Sequence, residues 1–148
     1  MLEVKDIQKY NKKSLPQLLK DSTTIFNAWI RDRDRLKDIG DGQWYYCPTC
    51  RKQKRIIGNN YQACHCFPAG FYSWHRFNPL NVFGGCKQCN YFKHGTNYEY
   101  NDWVRKKIGE ESYQKLLTDN DYYKRVGWRW ERFSLIEVIT TYKQLLHR

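Results

Sequence analysis

The sequence predicts an α+β fold, with a small cysteine-stapled core of short strands set between one long N-terminal helix and a helical C-terminal part. Three observations predict it. Apolar residues recur at helical spacing before position 40 and again after position 97, aromatic and β-branched residues gather around short turns between 44 and 83, and two Cys-x-x-C pairs bracket that middle stretch. With 148 residues, the chain suits one domain, since domains run to roughly 100–200 residues. We divide 1–148 into the helix at 15–40, the core at 42–98 and the helical part at 99–148. The 6 Trp, 12 Tyr and 7 Phe give a core apolar bulk without many aliphatics.

Ser14, three residues before Gln17, has the pattern of a capping box. Leu15, Leu18, Leu19, Ile25, Phe26, Trp29, Ile30 and Leu36 then follow at helical spacing up to Gly40, which predicts a helix over 15–38 with Asp21 as the candidate break. Its other face, Arg31-Asp32-Arg33-Asp34-Arg35, alternates in sign and reads as solvated. From Trp44 to Ile57, strand-type residues flank Cys47-Pro48-Thr49-Cys50, which predicts a hairpin folded over a knuckle. Residues 61–66 and 80–83 are strand candidates, separated by a loop with turn signals at Pro68, Gly70 and Pro79. Helices over 97–108 and 110–118 meet at Gly109. A last helix to about Leu146 is announced by a Phe133–Val138 staple and a Ser134–Glu137 capping box.

Charge narrows the function. Against 26 Lys and Arg stand 15 Asp and Glu, a net charge of +11, and the 57 residues from Gly42 to Tyr98 contain no carboxylate. The seven cations of that tract are Arg51, Lys52, Lys54, Arg55, Arg76, Lys87 and Lys93. Such a field most commonly meets a phosphate backbone, so these are the candidate DNA contacts; a solvated basic face is the plainer alternative. No run approaches the ~20 apolar residues of a membrane span, and the N-terminus lacks a secretory apolar stretch. The expected setting is the cytoplasm, where six cysteines are ligands or buried thiols rather than disulfides.

Cys47 and Cys50, with Cys86 and Cys89, form two pairs whose spacing lets both thiolates of each reach one ion from a tight turn. Four such ligands close a tetrahedral structural zinc site, and chelation is expected to unfold the middle of the chain. A redox dithiol or plain burial is the alternative. The 35 residues between the knuckles exceed the usual spacing, so they are expected to carry structure and chemistry of their own. Within them stands Cys64-His65-Cys66. On a strand, alternation turns both thiols to one face and His65 to the other. Core packing of Cys64 and Cys66 is the plainer reading, a second metal site the other. Positive neighbours lower a histidine's pKa, so His65 is expected to be neutral, as a general base must be. A packed core histidine is the alternative.

The order C-x-x-C, His on a strand, Asn81-Val82 and then C-x-x-C-Asn90 resembles the His-Me finger (HNH) nucleases, which build a ββα-metal site on a treble-clef zinc fold. More narrowly, the chain resembles the phage NinG (Rap) recombination proteins. The segments that carry this likeness are Ser14 to Lys20, Ile30-Arg31 with Arg33-Asp34, Gln62-Ala63 before His65, Arg76 to Val82, Cys86 to Asn90, Gly95 with Glu99-Tyr100, and Leu135 to Lys143. The resemblance implies nuclease action on branched, Holliday-type DNA during phage recombination in a bacterial host. By position it implies His65 as general base, Asn90 as ligand of a catalytic Mg²⁺ or Mn²⁺, and Asn81 as the residue that steadies the His65 strand. It also implies a phosphate contact for Arg76 and further metal contacts for His94 and Glu99. His75 is expected at the surface or on DNA. Endonuclease VII, similar in layout, has Asp before its histidine and NinG-like proteins usually have Gly; here the residue is Cys64, so the first strand brings no carboxylate.

Two other functions stay open. A zinc-stapled binding module on a degenerate HNH scaffold fits Lys124, Arg125, Trp128, Arg129, Trp130 and Arg132, which interleave charge and aromatics as single-strand binders do; a packed linker is their plainer reading. A structural phage protein leaves the carboxylate-free tract unexplained. Two coordinated cuts at a junction call for two sites, most simply in a homodimer. The apolar stripe of the first helix is either that interface or cover for its own core.

Overall fold

A computed structural model of the chain describes residues 2–92 and 97–148. The order is α1 (Val4–Tyr10), α2 (Leu15–Asp34), β1 (Trp44–Cys47), β2 (Lys52–Arg55), β3 (Tyr61–His65), a 3₁₀ turn (Ser73–His75), β4 (Val82–Cys86), α3 (Lys87–Phe92), α4 (Tyr98–Ile108), α5 (Glu110–Val126) and α6 (Arg132–Leu146). Among the described residues, no helix is long and apolar enough to cross a membrane.

Ser14 opens α2 as expected, its hydroxyl accepting from the Gln17 N–H at 3.2 Å. The Gln17 side chain does not return the bond. Its amide donates to Asp21 instead, at 2.8 Å, and the helix runs unbroken through Asp21. The apolar stripe is spent inside the molecule: Leu18, Phe26 and Ile30 pack against Leu135, Ile136 and Ile139 of α6, together with Tyr10, Phe77 and Val82. Phe26 meets the Tyr142 ring edge-on at 4.9 Å. With that face covered by α6, it is not available as a dimer interface.

The mixed-charge face of α2 is only partly solvated. Arg33 donates to the carbonyls of Pro79 and Val82, at 3.0 and 2.8 Å, while pairing with Asp34; Asp34 in turn accepts from the Gly84 N–H at 2.9 Å. These two side chains satisfy backbone groups on the edge of β4 and bind the hairpin to the helix. Alternating charge reads as solvent-facing in sequence because the backbone it serves lies about 50 residues away. The helix ends at Asp34 rather than at 38, since Arg35 turns extended and the Leu36 N–H donates to Trp44.

Both sheets are two-stranded and antiparallel, β1 with β2 and β3 with β4. In the second, Tyr61 faces Cys86 and His65 faces Val82. The second strand starts at 82 rather than 80, because Asn78 to Asn81 close a turn. Crowding favours glycine at Gly84, where a Cβ would lie 2.4 Å from the Tyr61 ring, while one on Gly85 would fit tightly at 3.0 Å from the Cys64 sulfur. Under this hairpin, Cys64, Cys66, Phe83, Tyr100 and Val104 form a second core.

Gly109 separates α4 from α5 as expected, but α5 continues to Val126, where Gly127 at φ +88° stops it. The last helix starts at Arg132 behind Glu131, three residues before the expected cap at Ser134. The linker between α5 and α6 is partly packed, with Trp130 edge-on to Phe77, and Arg132 at the start of α6 donates to the Lys13 carbonyl at 2.6 Å. Lys124, Arg125, Trp128 and Arg129 stay exposed.

Candidate metal centre and histidine cleft

The two knuckles meet across the sheets. The sulfurs of Cys47, Cys50, Cys86 and Cys89 all lie within 4.8 Å of one another. Zinc held at ~2.3 Å by four thiolates sets its sulfurs roughly 3.8 Å apart, so the donor set suits a closed tetrahedral site. Burial opposes ionisation of Cys47, yet the backbone N–H groups of Cys50, Cys86 and Thr49 draw its pKa down to about 7. Burial raises Cys50 and Cys89. Lys54 faces the same sulfurs; against its own desolvation, Cys86 and Cys50 hold it protonated. The stacked rings of Tyr45 and Tyr61, 4.3 Å apart, close the back of the cluster.

Cys64 and Cys66 are not ligands of this cluster. Both are buried in the core beneath the hairpin, where desolvation pushes Cys64 far up and Cys66 to about 12. They are packed neutral thiols, as the plainer reading has it. The Tyr100 hydroxyl donates to the Cys64 carbonyl and accepts from the Phe83 N–H at 3.2 Å, bridging the two strands just before His65.

His65 ends β3 and is partly buried. Its Nε2 lies 2.9 Å from the Arg76 carbonyl oxygen. A carbonyl only accepts, so Nε2 carries a proton, and in the neutral ring the lone pair is on Nδ1. Asn81 is fully buried, and its side chain ties the loop closed: Oδ1 accepts from the Phe67 N–H at 2.8 Å, and Nδ2 donates to the Phe67 and His75 carbonyls at 3.0 and 3.1 Å. Both ends of the loop that supplies the Arg76 carbonyl are thereby joined.

Asn90, on α3, donates to Gln62 of β3 at 3.0 Å through Nδ2. It therefore retains Oδ1 as an oxygen donor. Asn90 and His65 line one cleft, together with Thr49, Cys66, Asn97 and Asn101. Asn97 caps α4 by accepting from the Tyr100 N–H and donates to Thr49 at 2.8 Å, which fastens α4 to the first knuckle. No carboxylate lines this cleft among the described residues, and Glu99, exposed on the first turn of α4, is outside it. His94 and Lys93 lie outside the described residues.

The candidate DNA contacts divide. Arg51, Lys52 and Lys87 are exposed. Arg55 is exposed but paired with Asp41 at 2.7 Å, so the tract without carboxylates in sequence has one beside it in space. Lys54 is half-buried and turned to the cysteine sulfurs. Arg76 is half-buried, with its Nε enclosed and desolvation lowering its pKa. His75, expected at the surface, is 1% exposed and donates from Nε2 to the Leu116 carbonyl at 3.1 Å. The sequence hides this because the partner is a backbone atom 41 residues away. Also unforeseen are Thr49, Asn97 and Asn101, amide and hydroxyl residues with no spacing signal.

Searches of curated proteins and of solved structures return no match. The family described as Bacteriophage Lambda NinG protein matches residues 3–148, and with nearly its whole length covered the chain belongs to that family.

Proposed function

We propose that the chain is a metal-dependent DNA endonuclease of the HNH type that acts on branched recombination intermediates in the phage-infected cell. The observation that carries this reading is the hydrogen bond from His65 Nε2 to the Arg76 carbonyl, which fixes the orientation of a ring that lines one cleft with Asn90; in the neutral ring Nδ1 is then the basic atom. In this reading His65 takes a proton from the water that attacks phosphorus. Asn81 holds the loop that orients it. Asn90 Oδ1, completed by phosphate oxygens, would hold Mg²⁺ or Mn²⁺, which when bound stabilises charge on the phosphoryl oxygens. One neutral oxygen is a weak anchor for a hard ion, so metal affinity in the absence of DNA is expected to be low. Exposed Arg51, Lys52 and Lys87 supply the phosphate-facing charge.

The test is cleavage of a four-way junction and of plasmid with Mg²⁺ or Mn²⁺. His65→Ala is expected to lower the rate by about 10²- to 10⁴-fold at unchanged DNA affinity, the usual loss for a positioned general base. Cleavage by His65→Ala at the wild-type rate removes the assignment.

One observation favours a second reading. The cleft contains no carboxylate among its described lining residues, and Cys64 is a buried packing thiol where a metal-binding carboxylate would otherwise stand. A DNA-binding protein on the same scaffold, without hydrolysis, follows if wild-type protein binds junctions but cuts none across the metal series.

A further inference from the structure

The carbonyl that fixes His65 follows directly on the 3₁₀ turn Ser73–His75, and every residue of that turn is pinned by the C-terminal part of the chain. The Trp130 indole donates to the Ser73 carbonyl at 2.9 Å, the Trp74 indole donates to Asn120 of α5 at 2.8 Å, and His75 Nε2 donates to the Leu116 carbonyl of α5 at 3.1 Å. Because Leu116 offers an acceptor, the His75 proton is on Nε2, and its Nδ1 accepts from Asn78 Nδ2 at 3.3 Å. His75 and Asn120 are buried, at 1% and 5% exposure. The His75 carbonyl, meanwhile, accepts from Asn81. A short turn with three anchors on one side leads directly into Arg76, whose carbonyl oxygen meets His65. Displacing that oxygen by about 1 Å would stretch its bond from His65 beyond hydrogen-bond reach.

We propose that the Ser73–His75 turn is a brace for the general base, with His75 as a positioning residue whose bond to Leu116 keeps the Arg76 carbonyl on His65 and so keeps the His65 proton on Nε2. This rests on the reading of His65 as the base. It gives α5, which lines no part of the cleft among the described residues, a role in the chemistry.

The two expectations separate in one experiment on the full zinc-loaded chain. Ring ¹⁵N NMR reports which nitrogen of His65 carries the proton, with or without nuclease activity. His75→Phe keeps a ring of similar size and removes both hydrogen bonds. It is expected to shift the His65 ring signals from the pure Nε2–H pattern toward a mixture, and to slow junction cleavage by about 10- to 10²-fold, the range for a catalytic group displaced by about 1 Å, at unchanged DNA affinity. His75→Gln, whose amide can still donate to Leu116, restores both. Trp130→Phe deletes an indole N–H at a partly exposed position and gives a smaller shift in the same direction. It decides the matter if His75→Phe does not fold. Folded variants with wild-type His65 signals overturn the brace. A wild-type protein that cuts nothing, yet whose His65 signals move in His75→Phe, sinks the nuclease reading and upholds the brace.

Discussion

Nine buried apolar side chains hold α2 against α6 and the loop beside it, whereas the cysteine cluster rests on four buried residues, two of them tyrosines and two the thiols themselves. The first region is an ordinary hydrophobic core, each buried side chain of which contributes on its own account. The second has little apolar surface, and an ion held by its four sulfurs would be what brings β1, β4 and α3 together. The β3–β4 hairpin lies between them. It is tied to the helical core by Arg33 and Asp34 and to the cluster by Tyr61 and Cys86. His65 thus depends on two kinds of cohesion that fail in different ways.

Removing the metal should expose that difference most strongly. Structural zinc binding amounts to an apparent 10–16 kcal/mol, roughly, in small domains, so a strong chelator or Cys86→Ser is expected to unfold β1, β2 and α3 and open the cleft. Much of the helical circular dichroism from α2 and α6 should remain. Metal analysis of the intact protein should give one ion per chain. A chelated protein that loses all its helix in one transition would mean that the two regions are a single cooperative unit, and the contrast drawn above would fail.

The converse change strikes the helical side. Phe26 is fully buried and touches Trp29, Phe77 and Tyr142. Phe26→Ala is expected to lower stability by about 3–5 kcal/mol, read as an earlier midpoint in urea. Zinc content of the folded fraction should be unchanged. Loss of zinc at denaturant concentrations below the helical transition would place the weak point in the knuckles instead.

What could be read in advance follows the same division. The four-cysteine cluster is legible because Cys47, Cys50, Cys86 and Cys89 carry their geometry in their spacing. The start of α2 at Ser14 and the junction at Gly109 were legible because caps and glycines act locally. Gly127 was as visible a stop for α5, but the helix between 119 and 126 is rich in Asp, Asn and Tyr, which weakens the periodic signal. Helix α1 was missed for the same reason: it has seven residues and is capped by Glu3 and Asp6 rather than marked by a stripe. Arg33, Asp34, Asn81 and His75 act through backbone atoms of distant segments. Of these, the resemblance names Asn81 as the residue that steadies the His65 strand, and the other three read as surface in the sequence. Sequence patterns record which side chains are apolar or paired nearby; they do not record a carbonyl waiting 40 residues away.

The smallest expected effect lies at the first knuckle. Arg51 follows Cys50 at φ +60°, a left-handed conformation that suits glycine and burdens a side chain. Its N–H donates to the Cys47 carbonyl at 2.8 Å, so the turn that presents both thiolates requires this backbone shape. Arg51→Gly removes a left-handed penalty of about 1–2 kcal/mol but loosens the unfolded chain, and the net expectation is a stabilisation of about 0.5 kcal/mol or less. The same exposed side chain is a candidate phosphate contact. If it is one, Arg51→Gly weakens DNA binding across all sequences and lowers the salt dependence by about one counterion. A variant that is more stable and binds DNA less tightly would show strain retained at the knuckle for the sake of a charge. A variant with unchanged affinity would remove Arg51 from the interface and leave Lys52 and Lys87 to carry it.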